Sequence, residues 1–501
     1  MARTQGAHNC ASKTPCMSAA PWVTVGPEAL GHGPVTGPTG ATGRRSQPAA
    51  AKAEQAWWRD AAGALAWLSV LVVTALWVVG GGVQGLGSLA GALISLGRLT
   101  GLVASDLLLI QVLLMARIPF VERSYGQDEL ARRHRLVGFT SVNLLGAHIV
   151  LITLGYAAST TLGLWGTIVD FVLHYPGMLL AVAGTVAPCM VVVTSVKKAR
   201  GRLRYESWHL LHLYAYLGAG LALPHQLWTG QDFVGNLPAT VFWWGLYAVA
   251  VGSVVWFRVL QPLLLNLRHR LVVAEVRPEG PGVTSVVVVG RELDRFGARA
   301  GQFLHWRFLD APGWSRAHPY SLSAAPDGRS LRITAAHVGD GSSALRSLRP
   351  GSRVHVEGPY GRLHAGIRRR QKVLLMASGI GVTPMRALLE ELPQGPGDVV
   401  LVYRVHSLDQ VVFGDELSAL AQSRGATVLT VPGPRLRTRA SWLPEQAGHL
   451  SDVAALRHLV PDVAEREVLL CGNAQWTDLV VAAAREAGVP DEHVHVEHFA
   501  Y

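Results

Sequence analysis

Cysteine is scarce. Four occur in 501 residues, Cys10, Cys16, Cys189 and Cys471, and none forms a CxxC pair, so neither a zinc site nor a disulfide framework is encoded. Charge is sparse too. Charged residues make up 16% of the chain and hydrophobic ones 50%, which suits a protein partly dissolved in lipid and not a wholly aqueous one. No apolar core of the kind a secretory signal needs lies near the start. There is no internal repeat and no EF-hand pattern. The formal charge of +11 does not point to nucleic acid, because the basic residues cluster beside apolar segments, where membrane topology accounts for them.

What is present divides into four parts. Residues 1–56 are rich in Gly, Pro, Ser, Thr and Ala without a hydrophobic period, and read as a disordered tail. Between 57 and 262 lie six apolar stretches, at 61–80, 99–116, 136–156, 177–196, 208–227 and 239–260. Each is near the roughly 20 residues that a spanning helix needs, which predicts a six-helix transmembrane bundle. Arg117, Arg123, Arg132, Arg133 and Arg135 lie between the second and third stretches. Lys197, Lys198, Arg200, Arg202 and Arg204 lie between the fourth and fifth, while 157–176 and 228–238 hold no Lys or Arg. That asymmetry predicts a multi-pass protein of the cell membrane with both termini cytoplasmic.

After Arg268 the pattern changes. Short β-rich runs broken by Gly, Pro and Asp over 268–365 predict an antiparallel β-barrel. Over 371–501, the apolar runs KVLLMASG, DVVLVYRV, ATVLTVPG and EVLLCGN alternate with helical stretches, which predicts an α/β domain with a parallel sheet.

The stretch Trp208–Leu227 is apolar yet carries His209, His212 and His225. Ionisable groups in a spanning helix are costly and usually functional. In the third stretch His134 and His148 are fourteen residues apart, which puts them about 21 Å apart along the axis and within about 40° of the same face. His134 with His212 near the cytoplasmic side, and His148 with His225 near the outer side, would supply axial ligands to two stacked haems. On an ideal helix His225 falls about 140° out of line with His212; Pro224 just before it is a natural kink. His209, one turn from His212, is a rival for the inner iron. His174 lies in an outer loop region and reads as a surface or substrate-side residue.

Six spans with histidines paired in this way resemble the ferric reductase and NADPH oxidase superfamily. His318-Pro319-Tyr320-Ser321 is similar to the HPF(T/S) or RxY(S/T) signature of the ferredoxin-reductase-like flavin domain. The resemblance implies that the Tyr320 ring packs beside FAD and that the Ser321 hydroxyl contacts its isoalloxazine. Gly339-Asp340-Gly341-Ser342-Ser343 places small residues and hydroxyls before a helical run, a composition suited to a pyrophosphate; alignment with the family would put Ser342 at that contact. GPYG at 358–361 looks like the family's link to the next domain.

Ser378-Gly379-Ile380-Gly381-Val382-Thr383-Pro384 closes a strand and opens a helix. It is similar to the family's GxGxxP pattern, with the glycines admitting phosphates and Pro384 in the first helical turn. Arg404, or Arg435 in the PGPR run, would pair with the 2′-phosphate of NADPH; both equally suit a solvated surface, so NADH stays open. Cys471-Gly472 matches the family's Cys-Gly dipeptide beside the nicotinamide. The ending Glu497-His498-Phe499-Ala500-Tyr501 resembles the family's terminal aromatic, with Tyr501 shielding the flavin.

The resemblance covers residues 61–501 and implies a flavocytochrome with FAD, NAD(P)H and two haem b groups in a lipid bilayer. Electrons would pass to an acceptor beyond the membrane. A ferric chelate is the leading expectation and molecular oxygen the alternative. A non-catalytic haem-binding relay or sensor, and a flavin reductase using its helices only as an anchor, are the rivals from other classes.

Overall fold

The computed structural model describes residues 23–24, 57–196, 205–230, 236–392 and 395–498. The chain divides into two compact units. One is Glu54–Arg268, and the other joins Met1–Ala53 to His269–Tyr501.

The first unit is helical: α1 (Trp57–Val79), α2 (Leu89–Met115), α3 (Pro119–Tyr125), α4 (Gln127–Ser159), α5 (Gly163–His174), α6 (Met178–Ser195), α7 (Tyr205–Thr229), α8 (Leu237–Val255) and α9 (Gln261–His269), with a π turn over Trp256–Leu260 between the last two. Among the described residues five helices are long and apolar enough to cross a membrane: Trp58–Val79, Leu89–Met115, Glu129–Ser159, Met178–Ser195 and Leu237–His269. The expected sixth, α7, has the length at 25 residues. Its three histidines and Gln226 dilute the apolar run, so it falls short on hydropathy. The stretch read as an outer loop contains a twelve-residue helix, α5.

Two tight pairs organise this unit. On α2 and α4, Gly97 lies against Ile152 and Gly155 against Ile94, so closely that a Cβ on either glycine would need its neighbour to move; the Ser141 hydroxyl donates to the Ala104 carbonyl at 2.8 Å. On α6 and α7, a Cβ on Gly184 would stand 2.8 Å from the Gly218 carbonyl. Small residues let helix backbones approach where lipid supplies no hydrophobic drive. A third contact set, Val73 and Trp77 with Leu102, Leu109, Ala239 and Trp243, packs α1, α2 and α8 together.

In the second unit, β1 (Val23–Thr24) is the described part of the tail. β2 (Val272–Gly280), β3 (Val283–Val289) and β6 (Ser330–Ala336) form one antiparallel sheet. β4 (Phe303–Phe308), β5 (His318–Ser321) and β7 (Val354–Tyr360) form a second, in the order β5-β4-β7. Isolated bridges Val272–Arg353 and Leu322–Ile333 join the two sheets at both edges. Alternate burial along β4 follows the period-two pattern of a half-buried strand.

A short helix α10 (Asp340–Ala344) precedes β7, and the α/β part follows: β8 (Val373–Ser378), α11 (Val382–Glu391), β9 (Val399–Arg404), α12 (Gly414–Arg424), β10 (Thr427–Val431), α13 (Asp452–Leu459), β11 (Glu467–Gly472), α14 (Ala474–Glu486) and β12 (Val494–His498). The sheet runs β1-β10-β9-β8-β11-β12. Its strands are parallel except β1, which pairs antiparallel with β10. β8, β9 and β11 are buried almost throughout and mostly apolar because helices cover both faces, each with its own buried cluster. Strand order reverses between β8 and β11, and the crevice beyond such a point is where open α/β sheets bind ligands.

Candidate functional site

Two groups of side chains carry chemistry, one in each unit. In the helical unit the His134 Nδ1 lies 3.1 Å from the Gln111 carbonyl and the His148 Nδ1 lies 2.7 Å from the Gly97 carbonyl, both on α2. A carbonyl oxygen can only accept, so each Nδ1 carries the proton and each Nε2 keeps its lone pair. That is the tautomer a metal-ligating histidine adopts, held by a partner behind it. Gly101 makes room for the second ring: a Cβ there would stand 2.5 Å from the His148 Nδ1.

On α7 the Thr229 hydroxyl donates to the His225 carbonyl at 2.7 Å and sits 2.8 Å from the His225 Nδ1. With its one proton committed, that hydroxyl accepts from Nδ1, and His225 takes the same tautomer. His212 has a buried Nδ1 without a partner. Its ring lies 5.9 Å from that of His134, at 54°; two metal–nitrogen bonds of about 2 Å each bring rings to about this separation. The structure thus brings His212 into ring contact with His134. His148 and His225 are not in ring contact. His174 is exposed and pairs with Asp170 at 2.8 Å. Among the described residues no group of three or more His, Cys, Asp or Glu is placed to hold a metal. A bis-histidine haem would take two facing imidazoles, and His134 with His212 fit that requirement.

In the second unit a cavity of about 270 Å³ opens beyond the ends of β8, β9 and β11, lined by Ser378, Gly379, Arg404, His406, Arg435 and Trp476 among others. Gly379 has φ of +56°, with open space where a Cβ would be, so backbone faces the cavity there. Gly381 does a different job. A Cβ at Gly381 would collide with the Cys471 carbonyl, so the turn leading into α11 can press against β11 only with glycine. Thr383 is buried and its hydroxyl donates to the Ile380 carbonyl at 3.0 Å, stapling the same turn, and Pro384 is buried beside it.

Arg404 is buried, and its guanidinium donates to the carbonyls of Val405, Val431 and Pro434 without a carboxylate partner. Burial pulls it down to about 10, so it stays cationic at neutral pH. Arg435 lines the same cavity from an exposed position. Cys471 does not line it. Its thiol is wholly buried in the core on one face of the sheet, and burial, helped by Glu497, pushes it well above the usual thiol range. The neighbouring Gly472 packs against Trp476 and Ser378. Sequence reasoning passed over Trp476, whose indole Nε1–H is buried without an acceptor at the cavity wall. The available signal was Asn473, the N-cap of α14, whose side chain accepts from the Trp476 N–H at 3.0 Å.

On the antiparallel sheets, His318 and Tyr320 stack at 6.1 Å and 23°. Burial pushes the Tyr320 phenol up. The backbone of Gly341 lies against the His318 ring so closely that a Cβ would collide. β5 and α10 therefore meet at one place. Pro319 is exposed, while the Ser321 side chain is buried at the strand end. The Ser342 hydroxyl is taken up locally, accepting from the N–H groups of Val338 and Gly339 and donating to the Gly339 carbonyl. Phe499 and Tyr501 lie outside the described residues.

Residues 100–223 match the family described as "Ferric reductase like transmembrane component". The ferredoxin reductase component of a 3-ketosteroid-9-alpha-monooxygenase from Mycolicibacterium smegmatis is 34% identical over 240 residues, covering 46% of this chain and 65% of that protein, just under two thirds of its length. Ferredoxin–NADP reductase B from Sorangium cellulosum is 31% identical over 234 residues, covering 45% of this chain and 94% of that protein. The solved FAD/NAD-binding domain of a nitric oxide dioxygenase from Vibrio cholerae is 26% identical over 46% of this chain and 98% of its own, with a TM-score of 0.38. A membrane component matched within the helical unit and a near-complete reductase relative at over 30% identity leave one placement: the chain belongs to the ferric reductase and NADPH oxidase superfamily, a ferric reductase-like transmembrane component fused to a ferredoxin-reductase-type module.

Proposed function

We propose that this protein is a transmembrane flavocytochrome that moves electrons from NAD(P)H to an acceptor beyond the membrane, a ferric chelate by preference. The observation that carries the reading is the facing of His134 and His212 at 5.9 Å, with the His134 Nδ1 held by a main-chain carbonyl. When bound, FAD supplies the conversion of a two-electron hydride donor into single electrons, and two haems supply the path across the bilayer.

The chain's own residues do the rest. His134 with His212 would hold the inner haem, and His148 with His225 the outer, on a six-helix bundle in which α7 is the sixth crossing. Its lower hydropathy agrees with a helix whose polar face is turned to cofactor and not to lipid. His318, Tyr320 and Ser321, on antiparallel sheets read as a barrel, would seat the flavin. Ser342 orders the turn over Gly339 and so aims the N–H groups there. Gly379 and Gly381 admit the nicotinamide nucleotide's phosphates, and Arg404 with Arg435 would take a 2′-phosphate, which favours NADPH. A thiol as buried as that of Cys471 would pack behind the hydride site and does not act as a nucleophile there.

The test uses the full-length protein in proteoliposomes with the acceptor side accessible. NADPH should reduce the haem spectrum and then ferric citrate. The double substitution His148→Ala/His225→Ala should lower haem content by half and abolish ferric reduction. Unchanged haem per protein in that variant sinks the outer site, and superoxide formed in preference to ferrous iron would make molecular oxygen the acceptor.

A further inference from the structure

A half-buried charged network in the second unit, with buried arginines and partly exposed carboxylates, belongs to neither cofactor site. Arg332, on β6, is 9% exposed. Its guanidinium forks onto Glu416 of α12, Nη1 to Oε1 at 2.8 Å and Nη2 to Oε2 at 2.9 Å. The same guanidinium donates to the Ser323 carbonyl at 2.9 Å and its hydroxyl at 3.2 Å, and it stacks over the Phe413 ring at 4.9 Å. Glu416 also accepts from the Arg386 Nε of α11 at 2.8 Å. Arg386 in turn pairs with Glu390, whose carboxylate accepts the Ala325 N–H at 2.8 Å. Next to it, Glu391 accepts the Ala300 N–H at 2.7 Å.

The ends of this network matter more than its middle. Ser323 is two residues beyond Ser321 on the segment that would contact the flavin ring. α11 opens from the Gly379–Gly381 turn that would receive the nicotinamide nucleotide. Three carboxylates therefore fasten α11 and α12 to β6, to Ala325 in the segment that follows β5, and to Ala300, just ahead of β4. A planar guanidinium gripping both carboxylate oxygens fixes orientation as well as distance.

We infer that Glu416, with Arg332 and Arg386, is a positioning centre that sets the hydride-donor carbon against the flavin. This rests on the proposed NAD(P)H-to-flavin transfer. In the full-length protein, Glu416→Gln and Arg332→Lys are compared with wild type by rapid-mixing reduction of the bound flavin by NADPH. FAD content and the flavin absorption spectrum are recorded alongside. The expected result is a limiting reduction rate lower by about 10- to 100-fold, the scale of a misplacement near 1 Å, with the apparent Kd for NADPH changed less than threefold and FAD content unchanged. The kinetic isotope effect with 4-deuterated NADPH should rise, because the transfer step itself is slowed.

A limiting rate equal to wild type overturns the inference, even if the melting temperature falls, since a merely structural pair would lower only the latter. Loss of FAD, or a change confined to the Kd, overturns it as well. If Glu416→Gln does not fold, Arg332→Lys alone decides, because it keeps the charge and loses only the fork. Failure of NADPH to reduce wild-type flavin would instead remove the underlying reading.

Discussion

At the scale of single residues, this protein makes heavy use of positions with no side chain. Gly101 leaves the space that the His148 ring fills. Gly101→Ala should push that ring off its Gly97 carbonyl and lower haem content and outer-haem absorbance by about half; an intact spectrum would refute the site. Arg435 poses the opposite case, a side chain whose value lies in its charge. Arg435→Ala should raise the KM for NADPH by about 10- to 100-fold, the worth of one lost charge-assisted contact, and leave the KM for NADH within twofold. Equal effects on both cofactors would exclude a 2′-phosphate role. The histidines, the GxGxxP turn and Arg404 were legible in the sequence because their chemistry is unusual for their surroundings. The Arg332–Glu416 and Arg386–Glu416 pairs were not, since their members stand 84 and 30 residues apart and each looks like an ordinary surface charge.

At the scale of elements, the α/β sheet reads clearly from sequence because strands buried on both faces are continuous apolar runs. α7 reads less clearly, because the polar groups that give it a function also lower the hydropathy that would identify it. α5 escaped notice because a short helix of aromatic, aliphatic and small residues resembles a loop between two long spans. β11 and β12 share a feature with a pH signature. Glu467, fully buried at the start of β11, accepts from His495 at 2.5 Å, His493 at 3.1 Å and the Arg369 N–H at 2.9 Å.

Burial alone would raise the Glu467 carboxyl, but the His495 bond, the Arg369 N–H and the His493 bond together hold it down to about 2. A folded-state value below the unfolded one gives stability that is present above the ordinary glutamate range near pH 4.5 and lost as pH falls toward 2. Thermal unfolding of the full-length protein between those limits should be steeper in pH than that of Glu467→Gln. Parallel curves would contradict the assignment.

At the scale of the whole molecule, the two units divide the work, and their failures should separate. His134→Ala/His212→Ala should abolish transfer to an acceptor on the far side. The rate of NADPH oxidation with a soluble dye that takes electrons directly from flavin should stay within twofold of wild type. Loss of both activities would mean that the inner pair is needed for folding and not only for transfer. The family placement was open to a sequence reader because several motifs agree in order along one chain, whereas any one of them is weak.

The smallest strand in the protein carries a consequence for its topology. β1, Val23–Thr24, pairs with Leu429 and Thr430 of β10. Residues that share a sheet share a side of the membrane, so on the proposed membrane topology a chain that leaves β1 and returns to β10 crosses the bilayer an even number of times. The five helices that qualify by hydropathy make an odd number. On the proposed topology parity asks for a further crossing, and among the described residues α7, with its 25 residues, is long enough to make it. Two residues of main-chain pairing in the tail thus bear on the proposed number of crossings independently of the hydropathy of the helices.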